Sequence, residues 1–257
     1  MLDEFIIRAI IAIILLAINA SIAGSFTIFK DVPFLIVGSA HAALAGAALF
    51  IALESFIRIN PLVGAIIFAL FVAFAASKAK QINIAIGISF AFSMSLAVLF
   101  ISLIKEQAAR VWGLLFGDLL LLTNEDIFLM AIMTIFIIIL SLLFFREFLF
   151  ISFDMEGAKA YGIKANFFNY LLLALISIST VIIMKAVGAI LVYAMLVAPA
   201  AAANKKARSI FQVFLFASLI ALIAGFLGLI ISFYLPFSPS AIAALIATSI
   251  YFVLFKE

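Results

Sequence analysis

Residues 210–233 read IFQVFLFASLIALIAGFLGLIISF, a stretch without one charged side chain. A helix that crosses the hydrocarbon of a bilayer takes about 20 apolar residues, so this run is read as a membrane span. Similar runs cover residues 5–29, 34–53, 61–76, 82–104, 127–145, 167–184, 187–203 and 241–255. In a chain of 257 residues 69% are apolar, about 177 side chains, and only 11% are charged. An ordinary soluble domain is about a quarter charged, so too little polar surface exists here to cover a water-facing globule. The composition predicts a polytopic membrane protein and excludes an appended ATPase, a nucleic-acid-binding domain and a water-soluble core.

The spans are expected to be helices, because backbone in lipid must satisfy its own hydrogen bonds and no alternating barrel pattern is present. The fold class is therefore all-α, a polytopic bundle of eight or nine transmembrane helices, with the run ending near Ala203 short enough to be broken or partly re-entrant. Asn60 before Pro61 and Ser238 before Pro239 each read as an N-cap followed by proline at the first helical position. The run after the acidic Asp3 and Glu4 is too long for a signal-peptide core and reads as a retained first helix. No linker interrupts the pattern, so residues 1–257 are expected to form one transmembrane domain. The chain has no cysteine, which removes disulfides, Cys-ligated zinc and thiolate catalysis.

If nine helices alternate, one side receives Lys30, Lys78, Lys80, Arg146, Lys159, Lys164, Lys205, Lys206, Arg208 and Lys256. The other side receives Arg8, Arg58, Lys105, Arg110 and Lys185. The excess of basic residues marks the cytoplasmic side, which puts the N-terminus outside and the C-terminus in the cytoplasm of a cell (plasma or inner) membrane. Two connections are long. Residues 105–126, predicted outside, contain Trp112, Gly113, Phe116, Gly117 and Asp118 and are too apolar for a solvated loop; a short interfacial or re-entrant helix is expected. Residues 146–166, predicted cytoplasmic, hold Asp154, Met155, Glu156, Gly157, Ala158, Lys159, Ala160, Tyr161 and Gly162, which read as a short helix opened by an acidic turn and closed by glycine. A helix there has no span to make, and contact with a partner is its natural role.

The one histidine, His41, lies within the second run, eight residues past Pro33 and so about 12 Å into its helix. An ionisable group at that depth points to an interior path, and imidazole suits divalent transition metals; the bland reading is a neutral histidine bonded to a neighbouring helix. Gly38, Ala42 and Gly46 recur every four residues beside it, a stripe for close helix packing. Glu54, about 20 Å farther along the same helix, is either an outer ligand or gate for a cation or a plain charge at a helix end. Asp118 carries the same ambiguity. Met94, Met184 and Met195 are read as filler before ligands. Pro199 interrupts the backbone ladder of its helix and is a candidate kink. One histidine without cysteine cannot build a multi-histidine protease site or a Cys–His pair, and no GxxxxGK[ST] occurs, so an intramembrane enzyme is not expected.

Five segments stand in a recognisable order: Gly24, Ser25, Phe26; Ser39 to Gly46, against LSHAxLPG; Leu115 to Leu120, against LFGDLL; Asp154 to Gly162, against DPExARxxG; and Val187 to Ala203, against VGxLLxxxLLxxPAATA. In these segments the chain resembles the permease subunits of ATP-binding-cassette importers for zinc, manganese or iron. The resemblance implies a type II importer-like bundle, a second copy of the chain, two cytoplasmic ATPase subunits that use ATP, and an extracellular or periplasmic metal-binding protein. The transported divalent ion would be cargo, with no cofactor held permanently. It further implies that Asp154, Glu156, Gly157, Ala158 and Gly162 belong to a coupling helix that docks on the ATPase, and that His41, with Glu54, borders the ion path. The family's aspartate four residues before the histidine is Val37 here, and its later proline is Ala45. The readings from other classes are a standalone secondary transporter or channel using His41 and Glu54, and a membrane scaffold built on small-residue packing.

Overall fold

The computed structural model describes residues 4–54, 59–104 and 108–254. Arg58, Lys105 and Lys256, counted above for orientation, and the end of the last apolar run lie outside the described residues. Among those residues every regular element is a helix. They are α1, Glu4–Phe29, with a π-helical turn at Ala20–Gly24; α2, Phe34–Ala52; α3, Pro61–Lys78; α4, Ile82–Leu103; and α5, Ala108–Phe116. There follow α6, Asn124–Leu143; α7, Phe145–Phe153; α8, Met155–Ala160; α9, Ala165–Val187; α10, Val192–Lys206; α11, Ile210–Ser232; and α12, Pro239–Val253. Seven of these, α1, α2, α3, α4, α6, α9 and α11, are long and apolar enough to cross a membrane. Helices α10 and α12 have 15 residues each, about 22 Å of rise against a hydrocarbon layer of about 30 Å.

Each apolar run contains a helix, most with small shifts of boundary and one with a break. The run 187–203 is not continuous, because Gly188 takes φ 87° and ends α9, and the chain re-enters a helix only at Val192. The backbone N–H groups of Ala189 and Ile190 donate to the carbonyls of Leu114 and Leu115 at 3.1 and 3.3 Å, capping the end of α5. Gly117, with φ 63°, meets this joint so closely that a Cβ there would fall 2.1 Å from the Gly188 nitrogen. A Cβ on Gly188 would fall 2.4 Å from the Phe116 oxygen. Two separate sequence motifs thus become one backbone contact. Only glycines fit it, since both the conformation and the space exclude a side chain.

Helices α2 and α9 are the most buried spans and form the middle of the bundle; α4 and α6 show most of their surface outward, as lipid-facing or partner-facing helices do. Helix α2 packs on α3 and α4, α9 packs on α2 and α3, and α1 packs on α10 and α11. Of the small-residue stripe, Ala42 is fully buried and Gly38 rests against Ile86 of α4. Gly46 touches backbone, since its Cβ would lie 2.1 Å from the carbonyl oxygen of Gly64 in α3. Gly64, not singled out in the sequence, is the other half of that contact.

Several polar side chains inside the bundle bond from helix to helix, whereas the buried Ser25 and Ser141 hydroxyls and Asn169 Oδ1 have no hydrogen-bond partner. Asn19 donates to Leu15 O and Thr134 Oγ1, both at 2.8 Å, and accepts from Ser179 Oγ at 2.7 Å, tying α1, α6 and α9 together. Ser39 and Ser177 share a hydrogen bond of 2.8 Å between α2 and α9. The two N-cap expectations divide: Asn60 accepts from the Leu62 N–H at 2.9 Å, whereas the Ser238 hydroxyl turns to Ser240 at 2.8 Å and makes no side-chain cap. Thr123 and Asp126 form a reciprocal capping box at the start of α6.

Replacing Gly46 by alanine is expected to force α2 and α3 apart and lower Tm in detergent, an overpacking cost of about 1–3 kcal/mol. Gly113→Ala, on α5 where nothing lies within 4 Å of an added Cβ, is expected to leave Tm unchanged or slightly raised. Equal Tm changes for the two variants would contradict the packing assigned to Gly46.

Candidate functional site

His41 sits half-buried on the flank of α2 that turns toward α4. Its ring lies edge-on to Phe90, 5.0 Å between centroids at 80°, and Phe90 also meets Phe34 at 5.8 Å. Its Nδ1 is 2.9 Å from the carbonyl oxygen of Val37. A carbonyl only accepts, so Nδ1 carries the proton in that bond, and the lone pair of neutral His41 is on Nε2. The bond is to its own helix, not to a neighbouring one as the bland reading held. Val37 has no polar side chain, yet its backbone carbonyl orients the ring. A histidine whose one ring nitrogen donates to a carbonyl is prepared to ligate through the other.

Glu54 is placed elsewhere. It lines a cavity of about 830 Å³ together with Asn60, Asp126 and Lys185 among apolar walls that include Ala47, Ile51 and Met184. The cavity opens where the end of α2, the start of α3, α5, the start of α6 and the end of α9 converge. His41 is not among its walls, and Glu54 lies in the turn beyond the Leu53 C-cap of α2 and not on the helix as expected, so the two residues proposed together from the sequence stand apart. The Lys185 ammonium is bonded to Asp126, whose side chain is 10% exposed while that of Lys185 is 50% exposed. The Asp126 carboxylate also accepts from the Thr123 N–H and hydroxyl at 3.0 and 2.8 Å. Asp118 closes its own turn, accepting from the Leu120 N–H at 2.8 Å. Met195 is buried and Met94 half-buried on the outward-facing α4.

At the opposite end lies α8. Asp154 accepts from the Gly157 N–H at 2.8 Å as its N-cap. The C-terminus of α8 closes as a Schellman turn, with Gly162 N donating to Lys159 O and Ile163 N to Ala158 O, each at 3.0 Å, and Gly162 at φ 79°. Ala158 is fully buried against the bundle, while Glu156 is 83% exposed and pairs with Lys159 at 2.7 Å. A side chain on Gly157 would meet the Asp154 carboxylate at 2.1 Å, so this glycine serves the cap. Pro199 lies within α10, buried along with its neighbours, and the missing proline N–H frees the Met195 carbonyl from the ladder. Nearby, Gly24 of the π turn lets α1 approach until a Cβ would stand 2.1 Å from Leu196 O.

Apolar spans around a cavity that holds charged side chains define a polytopic membrane protein, and its class as a transport protein comes from similarity to known proteins. Which transport family is settled by comparison: the ABC 3 transport family matches residues 2–256, and the chain belongs to it. It is 32% identical over 257 residues to the manganese transport system membrane protein MntC of Listeria monocytogenes, covering 98% of this chain and 90% of that one. It is also 32% identical over 251 residues to the manganese import system permease protein ScaB of Streptococcus gordonii, covering 96% and 88%. The solved structure of PsaBC from Streptococcus pneumoniae in complex with Fab superposes with a TM-score of 0.87 at 30% identity, covering 99% of this chain and 92% of that one.

Sequence reasoning missed the Asp126–Lys185 pair, because its members are 59 positions apart and each looked like an ordinary charge at a helix end. The signal that would have paired them is position: both sit at ends of spans predicted to face the same side. Lys185→Met strands a nearly buried carboxylate, so a lower Tm is expected for it than for the double variant D126N/K185M. Because Lys185 is half-exposed, the coupling from a double-mutant cycle is expected at about 1 kcal/mol or below. Strict additivity would mean the pair contributes nothing.

Proposed function

We propose that the chain is the membrane-spanning permease of an ATP-driven importer of divalent transition metal ions, and that manganese is its cargo. Membership of the ABC 3 transport family along residues 2–256 carries the reading; the manganese-named relatives direct the choice of ion over zinc or iron. In this reading a single domain crosses the membrane nine times, α10 and α12 included, with the N-terminus outside and the C-terminus in the cytoplasm. The side-chain contacts agree with such a division of ends: Arg8 reaches Asn124 at 3.4 Å near the cavity, and Lys30 reaches Ile151 near α8.

Two copies would pair around the path. Helix α4 supports this, since Gly87, Ala91 and Ser95 lie at four-residue intervals on its outward face beside Phe90 and His41, a surface suited to close helix contact. His41 would offer Nε2 to the passing ion from that surface, and Glu54 would stand at the outer opening where a metal-binding protein delivers it. Helix α8, capped at both ends and exposed at Glu156, Lys159 and Ala160, would dock on a separate ATPase that supplies the energy. The chain itself would perform no catalysis; alternating access would come from rigid-body change driven by the partner. A standalone carrier or channel would leave the capped, exposed α8 without a task.

The test is uptake into proteoliposomes carrying the complex with its ATPase, over Mn, Zn and Fe. Uptake should require ATP and favour Mn, and His41→Ala should lower it by about ten-fold or more; unchanged uptake in that variant removes His41 from the path. For docking, Glu156→Arg combined with Ala160→Trp should abolish co-purification of the ATPase. Both positions are exposed, whereas a bulky residue at Gly157 would break the Asp154 cap first.

A further inference from the structure

Lys30, the residue that follows α1, is turned into the protein. Its Nζ donates to the carbonyl oxygen of Ile151 at 2.7 Å, in the last turn of α7, and stands 4.0 Å from Sδ of Met155, the first residue of α8. An ammonium on last-turn carbonyls sits at the negative end of a helix, where a cation is favoured. The same burial holds the Lys30 pKa below its ordinary value, a desolvation cost that a lysine with its head in water would avoid. Anchoring the joint between α7 and α8 is what the observed contacts give in return.

Aromatic packing makes that joint stiff. Phe26 of α1 meets Phe148 of α7 at 5.8 Å and Phe214 of α11 at 5.5 Å, and Phe29 meets Phe153 at 5.5 Å. In the other direction Lys30 leads into α2 within three residues: Asp31 at φ 56°, buried Val32, and Pro33 as the N-cap. Asn83 of α4 donates to the Asp31 carbonyl at 3.4 Å. The turn from α1 to α2 is therefore gripped by α7 on one side and by α4 on the other. Eleven positions beyond Lys30 on this path stands His41.

We propose that Lys30 is a positioning residue of the transport cycle, which clamps the junction of α7 and α8 to the turn that begins α2, so that displacement of α8 moves the helix carrying His41. The inference rests on the reading of α8 as the ATPase contact. A clamp with only a folding role would fail differently: its loss would lower hydrolysis and transport together, whereas loss of a mechanical link leaves hydrolysis running without transport.

The experiment compares wild type, Lys30→Met, Lys30→Gln and Lys30→Arg, each purified with the ATPase and reconstituted, and reads Mn ions taken up per ATP hydrolysed. Methionine fills the same space without the charge. K30M is expected to retain the ATPase and its basal hydrolysis while ions per ATP fall about five-fold or more. K30R, still a donor to the carbonyl, should recover most of the ratio, and K30Q should lie between, which provides a reading if K30M is not recovered. A wild-type ratio in every variant recovered overturns the inference, as does a parallel fall of hydrolysis and uptake that K30R does not rescue. A wild-type chain that fails to hold the ATPase overturns the reading of α8 and this inference with it, an outcome distinct from a coupled wild type with coupled variants.

Discussion

In hydrocarbon no water is available to complete a polar group, so a buried donor or acceptor is favoured where it finds a partner within the protein. In a chain with 11% charged residues this condition organises the whole bundle. Asn19 is satisfied by three helices at once, which fixes where α1, α6 and α9 cross. The carbonyls at the end of α5 are completed by the backbone after α9, and the carbonyl of Ile151 by Lys30. Apolar packing alone leaves helices free to slide in lipid, since the tails are as apolar as the side chains. The hydrogen bonds and the glycine contacts are what fix register.

Much of this fold was legible as sequence, because a membrane span is encoded by length and composition within one segment. The start of α3 followed from Asn60 and Pro61, and α8 from Asp154 and Gly162, each a local signal. What escaped depended on pairs distant in the chain. Gly64 looks unremarkable until Gly46 is placed on it. The break after Val187 was hidden within an apolar run, because Gly188 acts through Gly117, which only the folded backbone brings beside it. Ser238 had the right type for a cap and found Ser240 instead, a local competition that residue type does not resolve.

The candidate site shows the same division. His41 was conspicuous as the one histidine, and its depth followed from helical rise. That Val37 orients the ring through its backbone was not readable, since the sequence at that position shows only an apolar side chain. Glu54 was visible as a charge but not as part of a cavity, because its companions Asp126 and Lys185 come from α6 and α9. Charge scarcity drew attention to these residues; tertiary packing assigned them to separate surfaces.

The joint of Gly117 and Gly188 has a consequence for how the chain tolerates change. Each glycine is held by the backbone of the other's segment, so a side chain at either position demands the same separation of α5 from the turn after α9. Once one substitution has opened that gap, the space that constrained the second is already present, although each position keeps its own preference for positive φ. The steric costs at the two sites are therefore sub-additive, and reversion of one alone would restore little. Although far apart in sequence, the two glycines behave in this respect as a single epistatic unit.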